Sequence, residues 1–195
     1  FLYMSALGAD VNAAIPYWRT KGQAERIVAT SGLKTTIFRP SFVFGYDHPV
    51  YKMLAKVLKR SPFGLMPVFG DGLYKHQPIF VKDVAEIVAQ SLDNPTAENA
   101  IYEIGGPEQL TFIQQLNILG TVIGATVRPV RLPVDLANIM VSLGGVLPFS
   151  PINRDQLTML MKDNICEISR VRQDFDIQLS GFAEGLKTML DNAPK

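Results

Sequence analysis

Tyr3-Met4-Ser5 and, twelve residues on, Tyr17-Trp18-Arg19-Thr20-Lys21 decide how this chain is read. Tyr17 and Lys21 are four apart, so on a helix they stand one above the other on a single face. Pro16 suits the first turn of that helix, where its missing N–H leaves nothing unsatisfied. A lysine ammonium beside a phenol is expected to lower the phenol's pKa from ~10, because positive charge favours the phenolate. Such a phenol can give a proton to a substrate oxygen or take one from it. Ser5 closes an apolar, strand-like run and is placed to orient the same oxygen by hydrogen bonding. Together the three residues form an acid–base constellation for carbonyl/alcohol redox chemistry. Six tyrosines and ten lysines give about 0.3 Tyr-x-x-x-Lys pairs by chance, so the pair takes its weight from what surrounds it.

The bulk numbers narrow the surroundings. A length of 195 residues fits one domain, and 47% hydrophobic content is ample for a core. The net charge of +1, from 19 basic and 18 acidic residues, provides no general field for nucleic acid or anionic lipid. One cysteine, Cys166, excludes an intramolecular disulfide framework and fits a reducing compartment. Only His48 and His76 could join a metal site, and they are scattered, so no metal is expected.

The chain then reads as an α/β succession. A strand at 1–5 is followed by a loop from Gly8 to Ile15 and a helix from Pro16 to about Thr30, with Ala24, Ile27 and Val28 on its buried side. Thr35 to Phe38 has the β-branched and aromatic character of a core strand in a parallel sheet, and Pro40 must end it. Val50 to Arg60 is a helix whose Lys52, Lys56, Lys59 and Arg60 form a solvated face. Val68 to Tyr74 reads as a hairpin turned by Asp71-Gly72.

Asp83-Val84-Ala85-Glu86 has the capping-box pattern of a helix running to Leu92, and Asn99 to Ile104 is another strand. Thr111 to Gln114 is a second capping box, opening a helix to Gly124, and Val127 to Leu132 is a short strand. Pro133 to Pro148 is an apolar helix with Asp135 as its one charge. It is shorter than the ~20 residues needed to span a bilayer, so protein core, a partner or a membrane surface must cover it. Ile152-Asn153-Arg154-Asp155-Gln156 opens a further helix. Ser180-Gly181 caps the last one, whose apolar face is Phe182, Leu186, Met189 and Leu190.

Ser5 at a strand end, Tyr17-x-x-x-Lys21 opening the next helix and Arg39-Pro40 ending the following strand resemble the active-site segment of the short-chain dehydrogenase/reductase superfamily, in its extended and atypical branches. A narrower resemblance rests on five elements in order. They are Ser5-Ala6-Leu7-Gly8-Ala9, the Tyr17/Lys21 pair, Arg39-Pro40-Ser41 with Phe44-Gly45, Gln77-Pro78 with Val81-x-Asp83-Val84, and Asn153-Arg154-Asp155-Gln156 with Asp163-Asn164. In that combination the chain is similar to the alpha-subcomplex subunit nine family of respiratory complex I and its bacterial NAD(P)H-binding relatives.

That resemblance implies the C-terminal part of a Rossmann-like parallel sheet with a small, mostly helical C-terminal lobe. Residues 1–195 would be the C-terminal portion of one NAD(P)-binding domain. Strands 1–5, 35–40 and 99–104 would lie in the sheet, with 45–80 and 125–180 in the substrate-side and C-terminal lobe. It implies NADPH or NADH as cofactor, bound by Ser5, Tyr17, Lys21, Arg39, Pro40, Ser41, Phe42 and Val43. Ser5, Tyr17 and Lys21 serve as catalytic residues or for binding only.

Two functions stay open. One is an accessory, structural or assembly subunit of NADH:ubiquinone oxidoreductase that holds the nucleotide as a structural cofactor without turnover of its own. The other is a free NAD(P)-dependent oxidoreductase or epimerase-like enzyme. Partners would be other complex I subunits, with peripheral contact to the membrane arm, and no nucleic acid. The location would be the matrix side of the mitochondrial inner membrane in a eukaryote, or the cytoplasm or inner-membrane periphery in a bacterium. None of the fifteen glycines forms G-x-G-x-x-G, so the phosphate-cradling turn is expected on a preceding or separate N-terminal half.

Overall fold

Alternating strand and helix signals resolve, in a computed structural model describing residues 1–46, 49–135 and 154–191, into sixteen strands and helices among the described residues. In order they are β1 (Leu2–Met4), α1 (Pro16–Ala29), β2 (Thr36–Pro40), β3 (Val43–Phe44), α2 (Pro49–Arg60), β4 (Leu65–Phe69), β5 (Lys75–His76) and β6 (Ile79–Phe80). There follow α3 (Val81–Gln90), β7 (Ala100–Ile104), β8 (Leu110–Thr111), α4 (Phe112–Ile123), β9 (Arg128–Leu132), α5 (Arg154–Leu160), α6 (Ser169–Asp174) and α7 (Phe182–Asp191). They fall into two compact units, one of Phe1–Asp47, His76–Gln109 and Asn164–Lys195, the other of His48–Lys75 and Leu110–Asp163.

The first unit is built on a parallel sheet in the order β1-β2-β7. Leu2 to Met4 pair with Thr36 to Phe38, and Thr36 to Pro40 pair with Ala100 to Ile104. Ile37, Phe38, Tyr102 and Ile104 are buried, as expected where helices cover both faces of a parallel sheet. Val84 and Ile87 of α3, Val171 of α6 and Phe175 complete that core. A parallel pair, β3 with β6, extends the chain beyond Pro40. Its Phe44 meets Phe80 at 5.5 Å and Phe182 of α7 at 5.2 Å between ring centroids. Gly185 permits this approach, because a Cβ there would stand 2.7 Å from Phe44 Cζ.

In the second unit β4 runs parallel to β9, Leu65 opposite Arg128 through Phe69 opposite Leu132. Helices α2 and α4 bury Tyr51, Leu58, Leu116 and Leu119, and Tyr51 Oη donates to Gln115 Oε1 at 2.7 Å. Thr111 and Gln114 close a reciprocal capping box, as the sequence predicts, and the helix ends at Gly124, which takes the left-handed conformation. The second unit takes in 110–124, and 164–180 joins the first.

Several local expectations are corrected. The Val68–Tyr74 hairpin does not form: β4 takes β9 as its partner, and Asp71 Oδ1 accepts the Leu73 N–H in a local turn. Ile27 is 71% exposed, because the buried positions of α1 are Gly22 and Glu25, which face the 10–11 loop and β2. Asp83 does not cap α3, which starts earlier, at Val81, straight out of β6 with no side-chain cap. Its carboxylate instead accepts the Ser180 N–H at 2.8 Å and the Ser180 hydroxyl at 2.9 Å. The start of α7 is held by Glu108, whose Oε2 accepts the Phe182 N–H at 2.6 Å, so Ser180 is not its cap. The apolar segment Pro133–Pro148 lies outside the described residues from 136 onward, as does Asn153.

Candidate functional site

The site begins where β1 ends. The Ser5 N–H donates to Phe38 O at 2.7 Å and the Leu7 N–H to Pro40 O at 2.9 Å, so the chain continues alongside β2 as far as Pro40. Ser5 is 3% exposed, and its Oγ has no hydrogen-bond partner among the described residues. A buried hydroxyl without a partner is disfavoured unless something else supplies one.

Helix α1 approaches from the adjacent segment. Ile15 is extended, Pro16 opens the first turn and no side chain caps the helix. Gly22 lies against the backbone of Asp10 and Val11 with no room for a Cβ, and the Asp10 N–H donates to Trp18 O at 3.2 Å. Lys21 Nζ donates to Met4 O at 2.8 Å and stands 5.3 Å from the centre of the Tyr3 ring. The ammonium is therefore fixed at the residue preceding Ser5.

Tyr17, one turn earlier, is 46% exposed. Its pKa is raised above the ordinary tyrosine value, by burial first and by Tyr3 second. This corrects the expectation that Lys21 lowers it. The ammonium is directed to Met4 O and the Tyr3 ring, and desolvation of the phenol dominates. Tyr17 is thus a neutral proton donor near neutral pH.

Arg39, at the end of β2, is engaged inside the protein. Its Nε donates to Glu25 Oε1 at 2.9 Å and its Nη2 to Glu25 Oε2 at 2.6 Å, while Nη1 lies 3.8 Å from Glu103 Oε1. The hydrogen bond with Glu25 raises its pKa further above the ordinary arginine value. Pro40 pairs with Ile104, and the Ser41 N–H donates to Ile104 O at 2.8 Å. Ser41 Oγ donates to Asn164, at 2.6 Å to Oδ1 and 2.9 Å to O. Phe42 stacks on His76 at 6.1 Å, and Val43 pairs with Ile79.

The structure thus brings Ser5, Lys21 and Arg39-Pro40 to the carboxyl ends of adjacent parallel strands, where α/β sheets bind ligands. Ser41, Phe42 and Val43 follow directly and continue into the β3–β6 pair.

Sequence reasoning missed Glu25. Its signal was the repeat of fours in Tyr17, Lys21 and Glu25, which puts all three on one helix face. It named Gln77 only as a motif residue and missed its bonds: the N–H donates to Asn164 O at 3.1 Å, Nε2 donates to Gly106 O at 2.9 Å, and Oε1 accepts the Cys166 N–H at 2.8 Å. Cys166 is buried, and burial pushes its thiol up to about 12, which disfavours the thiolate.

The groups available to a dinucleotide are Ser5 Oγ, Tyr17 Oη and Lys21, an ammonium with three donors of which one is directed to Met4 O. The unpartnered Ser5 hydroxyl is the observation that such a ligand fits.

Residues 5–105 match the family described as NAD dependent epimerase/dehydratase. The chain is 30% identical over 188 residues to the mitochondrial NADH dehydrogenase (ubiquinone) 1 alpha subcomplex subunit 9 of Arabidopsis thaliana, covering 91% of this chain and 46% of that protein. It is 26% identical over 137 residues to the NAD(P)H azoreductase of Xenophilus azovorans, covering 70% of this chain and 46% of that protein. It spans less than half the length of either relative. Among solved structures, the UDP-glucose 4-epimerase of Thermotoga maritima, crystallised with UDP-glucose, superposes with a TM-score of 0.69 at 20% identity, over 98% of this chain and 62% of that one.

Proposed function

Since this chain belongs to the NAD dependent epimerase/dehydratase family, we propose that Ser5, Tyr17 and Lys21 hold a reduced nicotinamide dinucleotide in an accessory subunit of NADH:ubiquinone oxidoreductase. The observation that carries the reading is the buried, unpartnered Ser5 Oγ, one residue after the Met4 whose carbonyl holds the Lys21 ammonium. When bound, a nicotinamide supplies a hydride donor or acceptor. The chain's own part is to donate hydrogen bonds from Ser5 Oγ, the neutral Tyr17 phenol and Lys21 to hydroxyl and carbonyl oxygens of the ligand.

NADPH or NADH suits these groups alike. The pyrophosphate-cradling glycine turn is absent from these 195 residues, and other residues of the protein or another chain supply it. A nucleotide that binds only the folded state stabilises that state by mass action, which is what a structural cofactor requires.

The accessory role is supported by the likeness to subunit 9 over 91% of this chain. The partners are then other complex I subunits, with peripheral contact to the membrane arm. The location is the matrix face of the mitochondrial inner membrane, or the cytoplasmic periphery of the inner membrane in a bacterium.

Native electrophoresis of gently solubilised source membranes, blotted for this chain, tests the reading. Co-migration with NADH dehydrogenase activity is expected, and migration as a small soluble species overturns it. A free NAD(P)-dependent oxidoreductase or epimerase-like enzyme is the second reading, favoured by the likeness to an azoreductase and by a phenol that stays protonated at neutral pH. Turnover that disappears in Tyr17→Phe would establish that one.

A further inference from the structure

The geometry points to Glu25 and Arg39 as a positioning clamp. The pair fixes how far α1 advances along the sheet, and through that it fixes where Tyr17 and Lys21 stand at the end of β1. The inference rests on the reading of Ser5, Tyr17 and Lys21 as a dinucleotide site, and it removes Arg39 from the residues that touch the ligand.

Helix α1 packs Trp18 against Gly8 and half-buries Ala24 and Val28. Its buried residues are Gly22 and Glu25, and its largest aliphatic side chain, Ile27, is 71% exposed. Gly22 carries no side chain to bury. The hydrophobic packing of such a helix is non-directional and does not by itself set its height along the sheet.

Directional contacts remain. Both carboxylate oxygens of Glu25, which is 7% exposed, receive Arg39 N–H donors at 2.9 and 2.6 Å. A two-pronged contact of this kind fixes orientation as well as distance. Arg39 is itself anchored in β2, next to the Pro40 whose carbonyl accepts the Leu7 N–H. Its third direction is toward Glu103 of β7, at 3.8 Å. One guanidinium therefore relates α1 to two strands of the sheet.

Glu25, Lys21 and Tyr17 lie on successive turns of one face, so a shift of the Glu25 turn carries the other two with it. The contact between Lys21 and Met4 O, 2.8 Å long, reports whether the helix is at its proper height.

The test uses the full-length protein and two readouts. The first needs no nucleotide: the rate at which an amine-acylating reagent labels Lys21, followed by peptide mass. The second is the affinity for NADPH. Glu25→Gln keeps the side-chain shape and removes the charge. It is expected to speed Lys21 labelling about tenfold and to weaken NADPH binding about tenfold. The exchanged pair, Glu25→Arg with Arg39→Glu, is expected to restore both readouts at least in part. Glu103→Gln removes the partly exposed partner of the same arginine and is expected to leave Lys21 labelling within about twofold of the parent.

Unchanged labelling in Glu25→Gln overturns the clamp, as does an equal effect of Glu103→Gln. Faster labelling with no NADPH binding by any of the proteins upholds the clamp and overturns the nucleotide reading instead. If Glu25→Gln does not fold, Glu25→Asp, which keeps the charge and shortens its reach by one methylene, is measured in its place with the same expectations.

Discussion

Ser5 and Ser41 are both buried serines at the ends of neighbouring parallel strands, yet their hydroxyls have opposite fates. Ser41 Oγ donates to Asn164. Ser5 Oγ has no partner among the described residues, although it is 3% exposed. An unsatisfied buried hydroxyl costs about 1–2 kcal/mol, so Ser5→Ala should leave the nucleotide-free protein as stable as the parent or about 1 kcal/mol more so. The same change should weaken NADPH binding about tenfold. Denaturant unfolding and a binding titration separate the two effects; lost stability with unchanged binding would make Ser5 a structural residue.

Tyr17 offers a second test at this scale, because burial, with Tyr3 beside it, raises its pKa. Below about pH 10 the phenol is protonated in the folded and the unfolded chain alike. Above that value the unfolded chain releases its proton first, so the contribution of Tyr17 to stability falls as pH rises. The difference between the phenolate absorbance titrations of the parent and of Tyr17→Phe should have its midpoint above 10. A midpoint below that value would mean that the Lys21 ammonium, rather than desolvation, governs the phenol.

At the scale of elements, α3 and α4 show how one sequence signature divides between two uses. Thr111-x-x-Gln114 closes a capping box around the first turn of α4, its bonds made within the segment that contains it. Asp83-x-x-Glu86 has the same spacing, but β6 passes into α3 without a break and the helix has already begun at Val81. Its carboxylate is free to reach across the fold, and it takes both donors of Ser180. Asp83→Ala should therefore cost about 2–3 kcal/mol, as loss of a buried carboxylate with two partners. An N-cap replacement would cost about 1 kcal/mol. Urea unfolding of the variant decides between these values. Hydrogen exchange should show the segment around Ser180, rather than the first turn of α3, losing protection.

For the whole molecule, sequence distance is a poor guide to neighbourhood. Asn164 accepts from Ser41, 123 residues earlier, and from the Gln77 N–H, while Gln77 also bonds Gly106 and Cys166. All three segments of the first unit therefore share one polar junction. Asn164→Ala removes the Oδ1 acceptor of Ser41 Oγ but keeps the backbone carbonyl that Ser41 Oγ and the Gln77 N–H also use, so it is expected to destabilise the protein by about 1 kcal/mol. A thermal transition identical to the parent's would show that the Asn164 side chain adds nothing to the junction.

Charge behaves similarly. The chain as a whole carries +1, but the segments of the second unit hold nine basic and four acidic residues, a net of +5. Those of the first unit hold ten and fourteen, a net of −4. A field absent from the sum is thus present in the parts.

What the sequence determined by itself was whatever depends on near neighbours in the chain. Thr36-Ile37-Phe38 and Ala100 to Ile104 are strands because β-branched and aromatic residues fit a pleated, buried sheet. Pro16 opens α1, Thr111 and Gln114 open α4 and Gly124 closes it because local hydrogen bonding and allowed dihedrals suffice for each. The four-residue spacing of Tyr17 and Lys21 likewise placed both on one helical face.

Only the tertiary structure decided which groups meet. It gave Arg39 to Glu25, Asp83 to Ser180, and β4 to β9 in place of a hairpin. It also turned Ile27 outward and raised the Tyr17 pKa that a neighbouring lysine was expected to lower. Pairings between distant residues, and the desolvation of a titratable group, depend on what other segments bring alongside. Neither is encoded in any window of adjacent residues.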